Sequence, residues 1–316
     1  MLNFKTPELK DREWISKCFS YAHSMNCEYT FGNIYMWRAA YKTFVAHYDD
    51  FVICRWGAKD KIMYSLPIGE GDFREAVSAI IRDASSLGIT PRIYGVTESY
   101  KAEIESDFPD MFSFEHDDGN YDYIYKVSDL ASLSGKKYHS KRNHISNFVK
   151  NYPDWSYENI NAQNISECID LHTSWIENKD NADSDSDYSL EFEAVLSGFE
   201  NYSDIGFKGG LIRVNNKPIA YTFGEKLNDH CFVTHFEKAP SDIQGAYAII
   251  NREFAKRLEE DGFIYVNREE DLGIPGLRKA KQSYKPEIWL IKLHLPPIKL
   301  KSLLCGQAYS VIRFRI

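Results

Sequence analysis

One order of elements occurs twice in this chain of 316 residues, and it restricts the fold more than any single motif does. In the first half, a helix-like stretch from Pro7 to about Tyr21 carries Trp14, Ile15, Cys18 and Phe19 on one side. The aromatic segment Phe31–Tyr41 has no clean period. Three short runs follow, Thr43–Tyr48, Phe51–Trp56 and Lys61–Leu66, separated by Asp49-Asp50 and by the Gly57–Asp60 loop, and they read as an antiparallel meander. Asp72 then opens a helix with Glu75 at capping-box spacing. Its apolar stripe is Phe73, Val77, Ile80, Ile81, Ala84 and Leu87, and Gly88 ends it. Arg92–Val96 reads as a strand and Ser99–Asp107 as a short helix. Met111–His116 and Tyr121–Val127 read as a closing hairpin through Asp117–Asn120.

The second half repeats this order. Trp155–Ile160 is a strand, and Asn164 to Ile176 a helix with Ile165, Cys168, Ile169, His172 and Trp175 at helical spacing. An acidic loop, Glu177–Asp187, leads to a helix near Ser189–Phe199. A second meander follows, Gly209–Val214, Pro218–Glu225 and His230–Glu237, with turns at Asn215-Asn216-Lys217 and Asn228-Asp229. Ser241, with Gln244 as capping-box partner, is expected to start a helix carrying Tyr247, Ile250, Phe254 and Leu258 on one side, ended by Gly262. Phe263–Val266 is the next strand. Pro275 suits a first helical turn, and that helix stops before Lys285-Pro286. Glu287–Leu295 reads as the last strand, and Ile298–Ile316 as a strand or helix packed on the second domain.

The duplicated order resembles that of the GNAT (acyl-CoA N-acyltransferase) fold, seen twice. The expected class is α/β (α+β), with mixed, mainly antiparallel sheets flanked by helices. The expected domains are 1–132, a GNAT-like unit; 133–152, a basic linker helix; and 153–316, a second GNAT-like unit.

Charge singles out the linker. The chain has a formal charge of −8, yet Lys136, Lys137, Lys141 and Arg142 lie within nine residues that also hold His139 and His144. A basic knot on an acidic body attracts a phosphate-bearing partner locally. An acidic chain is a poor general ligand for duplex DNA, whose affinity needs many phosphate contacts, so DNA is not an expected partner. A second basic element, Arg278 to Lys285, puts Arg278, Lys281 and Lys285 on one helical side behind the acidic run Glu269-Glu270-Asp271. The six cysteines are scattered without zinc spacing, so they are expected as free thiols in a reducing compartment, with no metal site. No secretory signal and no apolar run of spanning length is visible. The expected location is therefore the cytoplasm, with at most peripheral membrane contact.

Two motifs together carry a family resemblance: Leu133-Ser134-Gly135-Lys136-Lys137-Tyr138-His139-Ser140-Lys141-Arg142-Asn143-His144, and Asn267-Arg268-Glu269-Glu270-Asp271-Leu272-Gly273-Ile274-Pro275-Gly276-Leu277-Arg278-Lys279-Ala280-Lys281-Gln282-Ser283-Tyr284-Lys285-Pro286. The chain resembles, over essentially its whole length, a bacterial family related to the soluble C-terminal domain of phosphatidylglycerol lysyltransferases. More distantly it is similar to the Fem peptidoglycan aminoacyltransferases. The resemblance implies a tandem GNAT fold and a reaction in which aminoacyl-tRNA gives its amino acid to a lipid head group or a peptidoglycan precursor. The membrane-spanning half of the lipid enzymes has no counterpart in this sequence.

Aminoacyl transfer needs a group to manage the acceptor's proton and a donor to the developing oxyanion. Lys281 and Arg278 are the oxyanion candidates. Glu270, Glu237 and Glu225 are candidates to orient the amine, and His235, alone in a strand, is a candidate base. Lys136, Lys137, His139, Lys141, Arg142, Asn267, Asp271 and Tyr284 on the two motifs are the candidate substrate-binding residues. An acyl-CoA-dependent N-acyltransferase is the alternative. Its pyrophosphate would sit on Gln244, Gly245 and Ala246, where a helix opens, although Asp242 has the wrong sign for an anion and Tyr247 replaces a small residue. A non-catalytic binder of a phosphate-bearing ligand is the third reading. No cofactor other than acyl-CoA is suggested.

Overall fold

A computed structural model describes residues 2–58, 61–180 and 188–296. The expected C-terminal element at 298–316, most of the acidic loop 177–187 and part of the Gly57–Asp60 turn lie outside the described residues. In chain order the first strands are β1 (Phe44–Tyr48), β2 (Asp50–Trp56), β3 (Met63–Ser65), β4 (Ile68–Glu70), β5 (Ile93–Val96), β6 (Glu115–His116) and β7 (Asp122–Lys126). They are followed by β8 (Ser156–Asn159), β9 (Lys208–Val214), β10 (Lys217–Lys226), β11 (Cys231–Lys238), β12 (Tyr265–Asn267), β13 (Ile288–Leu290) and β14 (Leu293–Leu295). The helices are α1 (Arg12–Ser20), α2 (Phe31–Trp37), α3 (Phe73–Ser86), α4 (Glu98–Asp107), α5 (Val127–Ser132), α6 (His139–Asn151), α7 (Ile165–Asp180), α8 (Tyr188–Glu200), α9 (Tyr202–Ile205), α10 (Ala246–Glu260) and α11 (Pro275–Gln282). Among the described residues no helix is long and apolar enough to cross a membrane.

Two 7-stranded mixed sheets result, and this is the doubled GNAT fold. The first runs β1-β2-β3-β5-β14-β6, with β4 on β2; the second runs β13-β7-β12-β11-β10-β9-β8. Each meander forms where the turn chemistry put it, and Asp72 caps α3 by accepting the Glu75 N–H. The two halves nevertheless trade strands. The strand β7 belongs to the first half of the chain but pairs with β12 and β13, while β14 from the end of the second half sits between β5 and β6. Sheet membership therefore does not follow the division at 132/153.

Two expectations are corrected by this exchange. Met111–His116 and Tyr121–Val127 do not form a hairpin, because the first contributes to one sheet and the second to the other. The run Glu287–Leu295 is not one strand: it breaks at Ile291-Lys292 and continues in the opposite sheet. Strands of two or three residues carry too little alternation to name their partners.

The start of α10 is a third correction. Ser241 is not its cap. The helix begins at Ala246 after Gly245, whose φ is +90°, and the expected capping box at Ser241 and Gln244 is not formed. A β-carbon on Gly245 would lie 2.4 Å from the carbonyl oxygen of His144 and 2.9 Å from Phe148 Cβ. Glycine is therefore what lets α6 lie against the α10 N-terminus, where Ile145 and Phe148 enter the second core with Ile249, Ile250 and Phe254. A Gly245→Ala substitution is expected to cost about 1–3 kcal/mol, from left-handed strain and overpacking. Urea denaturation would measure the loss.

Candidate active site

The cleft forms where parallel strands part. In the second sheet β11 pairs with β12 only over Cys231–Val233 and Tyr265–Asn267. Beyond that point β11 continues through Thr234, His235, Phe236, Glu237 and Lys238, while the chain leaving β12 turns away through Arg268, Glu269 and Glu270. Both segments line a cleft of about 1150 Å³, and its further wall comes from the first sheet, including Cys54, Trp56, Ser65 and Tyr94. Binding sites of open α/β sheets form in crevices of this kind at the carboxyl ends of parallel strands.

A bulge between Phe223 and Gly224 shifts the β10–β11 register beside Glu225. A β-carbon on Gly224 would come within 1.8 Å of the Val233 carbonyl oxygen, so only glycine allows that approach. Glu225 then meets His235 Nε2 at 2.9 Å, and Glu269 meets Nδ1 at 2.8 Å. Burial opposes charge on this imidazole, but hydrogen bonds to the two carboxylates outweigh it and lift His235 to about 9. Burial also raises Glu269, despite its bond to His235. With two carboxylates against one ring, the imidazolium is the form that fits. His235 thus holds the cleft wall together and is too strongly protonated to be a free base near neutrality. Its stabilisation is complete below the ordinary imidazole value of 6.5 and is lost as pH rises through about 9. Unfolding free energy is expected to fall by on the order of 3 kcal/mol across that window. Denaturation of wild type and His235→Gln at several pH values would check this, the variant being flatter.

The cleft floor is a buried ionic cluster at the crossing of the exchanged strands. Lys292, between β13 and β14, lies 2.9 Å from Asp122 Oδ1, 3.2 Å from Glu270 Oε2 and 3.4 Å from Glu28 Oε1. The Cys27 backbone N–H donates to Asp122 at 2.9 Å, and the Cys27 thiol lies 3.4 Å from the same carboxylate. Asn267 donates to Asp122 and to the Met25 carbonyl. Burial opposes the Lys292 charge, but Asp122, Cys27, Glu270 and Glu28 raise it well above the usual lysine value. Burial pushes the Cys27 thiol well up, and Asp122 adds to it. For Glu270, burial is outweighed by Lys292 and Lys281, which hold it below the ordinary carboxylate range. Cys27, Asp122 and Glu270 are close enough together to ligate one metal ion. However, the Lys292 ammonium already supplies the cation they need.

Lys281 reaches the cleft from α11. Its ammonium donates to the backbone carbonyls of Arg268 and Glu269, the latter at 3.1 Å. Two of its three N–H groups are thereby used. Burial lowers its pKa from the usual lysine value. Because α11 buries no residue of its own, polar bonds hold it: Arg278 pairs with Asp271 at 2.7 and 3.0 Å, Tyr123 donates to Asp271 at 2.5 Å, and Tyr125 donates to the Lys281 carbonyl at 2.8 Å.

The structure sorts the candidate residues. Lys281, Glu270, Glu237, His235, Lys141, Tyr284, Gln244 and Gly245 line the cleft; Arg278, Asn267, Asp271 and Ala246 do not. Arg278 and Asp271 fasten α11, so Arg278 is corrected from oxyanion donor to anchor. Asn267 is buried behind the floor. In the linker, Lys136 and His139 are exposed, Lys137 pairs with Asp129 at 2.7 Å, and Arg142 donates to the carbonyls of Leu133 and Gly135. Only Lys141 of that basic set faces the cleft together with His144. The two basic segments meet: Tyr138 donates to the Tyr284 carbonyl at 3.0 Å, and the Lys141 ammonium lies 3.7 Å from the Tyr284 ring centroid. Sequence reasoning missed Cys27, Glu28, Asp122, Arg268 and Lys292. A lysine inside the largely apolar run Ile288–Leu295 was the one signal for the last.

Two mixed sheets flanked by helices, with a cleft where the parallel strands separate, make up the doubled GNAT architecture. The chain belongs to the family described as phosphatidylglycerol lysyltransferase, C-terminal, which matches residues 19–292. Among solved structures it is similar to a conserved protein of unknown function from Bacteroides thetaiotaomicron, with 40% identity, a TM-score of 0.88, and coverage of 93% of this chain and 99% of that one. It is also similar in fold to the C-terminal domain of a putative lysylphosphatidylglycerol synthetase from Agrobacterium fabrum, with 13% identity, a TM-score of 0.67, and coverage of 90% and 91%. Among curated proteins it is 24% identical over 176 residues to an uncharacterized protein of Mycoplasmoides gallisepticum, covering 55% of this chain. The match spans about half the length of that curated relative, 54%. Family and fold together support a transferase of aminoacyl or acyl groups.

Proposed function

We propose that this protein moves an aminoacyl group from an aminoacyl-tRNA to an amine or hydroxyl acceptor within the cleft between the sheets. The observation that carries this reading is the charge of the cleft floor. At that floor three carboxylates, Glu28, Asp122 and Glu270, converge on the single Lys292 ammonium. An excess of buried carboxylate suits a substrate bearing an amine, as an aminoacyl ester does. In this reading Glu270 holds the amine, and Lys281 gives its remaining N–H to the oxyanion formed as the ester carbonyl is attacked. The acceptor's proton leaves to a cleft carboxylate, the acyl–oxygen bond to the ribose breaks, that proton passes to the released ribose oxygen, and an amide or ester forms on the acceptor.

The acyl-CoA reading has less support. A pyrophosphate placed at the N-terminus of α10 would meet the His144 carbonyl oxygen, which lies 2.4 Å from where a Gly245 β-carbon would be. A carbonyl oxygen is an acceptor and repels an incoming phosphate. The test is transfer of labelled amino acid from a pool of charged tRNAs to phospholipid vesicles and to nucleotide-linked peptides, run beside acetyl-CoA with the same acceptors. Transfer from tRNA supports the proposal; transfer from acetyl-CoA alone overturns it.

A further inference from the structure

Arg268 enters the cleft from the end of β12 with only part of its guanidinium used. Nη2 donates to Glu237 Oε1 at 2.8 Å, and the other Glu237 oxygen accepts from Asn251 at 3.2 Å. The second arm, Nη1, is buried with no hydrogen-bond partner. Five N–H donors in a fixed fork make an unfilled buried arm costly. The Arg268 Cζ lies 5.1 Å from the centroid of the Tyr284 ring, and the Lys141 ammonium lies 3.7 Å from the same centroid.

These three side chains come from three separate elements, and all of them line the cleft. Among the described residues Lys141 makes no hydrogen bond and no ion pair through its ammonium; the Tyr284 face is its recorded partner. Burial pulls Lys141 down to about 8, and the nearby Arg268 charge adds to the fall while Glu237 opposes it. Two half-buried cations thus share a single carboxylate, and that carboxylate is already engaged by Arg268 and Asn251. Charge held in this way is expensive unless an anion completes it.

We infer that Lys141 and Arg268 form an anion subsite that takes a phosphate group of the donor substrate, with Tyr284 as its aromatic floor. A tetrahedral phosphate can accept from the open guanidinium arm and from the ammonium at once. The subsite lies between the linker helix α6 and the β12–α11 segment, so the basic linker contributes one buried cation rather than its exposed charges. This inference deepens the proposed transfer reaction and rests on it only for the choice of donor. The phosphate could belong to the terminal phosphodiesters of tRNA or to the pyrophosphate of CoA, and the chemistry is common to both.

The test uses the full chain and reads the Lys141 amine directly. Selective acylation of Lys141 near pH 8, followed by peptide mass spectrometry, is measured with inorganic pyrophosphate, CoA or an RNA minihelix ending in CCA. Each probe's affinity is also measured by calorimetry on wild type and Lys141→Met. The expected results are protection of Lys141 and a loss of affinity of about tenfold or more in Lys141→Met. Protection at lower concentration by RNA than by CoA assigns the phosphate to tRNA; the reverse assigns it to CoA. Equal affinities in wild type and Lys141→Met, or no protection of Lys141 by any probe, overturn the subsite. An Arg268→Lys variant, which keeps a cation for Glu237, should also bind more weakly while remaining folded. If pyrophosphate protects Lys141 but no charged tRNA donates, the subsite stands and the aminoacyl reading falls.

Discussion

A Lys292→Met variant should lose about 3–5 kcal/mol of stability, because it strips the counter-ion from buried carboxylates at the point where the two sheets exchange strands. Asp122 and Lys292 are both buried, and Glu270 and Glu28 close round the same ammonium. Methionine keeps most of the volume and none of the charge. Burial would then act on Glu270 without the opposing Lys292 charge and push its carboxyl upward, and protonating it removes part of the repulsion. The deficit should therefore narrow as pH falls through that raised value. The wild type behaves oppositely in this range. Its Glu270, held below the ordinary carboxylate value of 4.5, contributes stability above that pH and loses it as pH falls through the folded value. Urea denaturation between pH 4 and 8 would separate the two behaviours. The double variant Lys292→Met/Asp122→Asn should recover part of the loss, because the charge and one of its partners go together. If Lys292→Met is as stable as wild type at neutral pH, the cluster is not what joins the sheets.

The second large effect concerns transfer. Glu270→Gln should lower kcat/KM by about 10²–10⁴-fold while leaving the fold intact, since glutamine keeps the shape and Lys292 keeps Asp122. The pH dependence adds a second readout. Glu270 is held below the usual carboxylate range, so the acid limb of the wild-type profile should lie below that of an ordinary glutamate. Lys281 is lowered by burial and must stay protonated to donate to an oxyanion. The alkaline limb should therefore fall at lower pH than an ordinary lysine would give, and Lys281→Met should remove it along with most of the rate. A Glu270→Gln variant with unchanged kcat/KM would take this residue out of the reacting centre.

Much of the scaffold was legible in the residues. The meanders, the capped helix α3 and the proline-led α11 each had a local cause, in hairpin turns, in an Asp72 cap and in Pro275 at a first turn. Their doubling pointed to two GNAT-like units. Glu270 and Lys281 could be marked as chemistry because charged residues cluster there, whereas Arg268 in the same motif was not singled out. Lys141 could be marked too, but not told apart from Lys136 and Lys137, since all three differ only in which way a short helix faces. The α10 start was misplaced because Ser241 and Gln244 mimic a capping box, whereas the real constraint is a close approach of α6 that only Gly245 permits.

By itself the sequence determined the order and kind of the elements, because helical and strand periods are local properties of the chain. It also determined that a basic segment would lie between two acidic halves. Only the tertiary structure decided that β7 and β14 change sheets, that Lys292 pairs with Asp122, and that Lys141 and Arg268 face one tyrosine ring. Those residues lie far apart in the chain, and their pairing depends on which strand edges and helix faces are left to bury together once both sheets have formed.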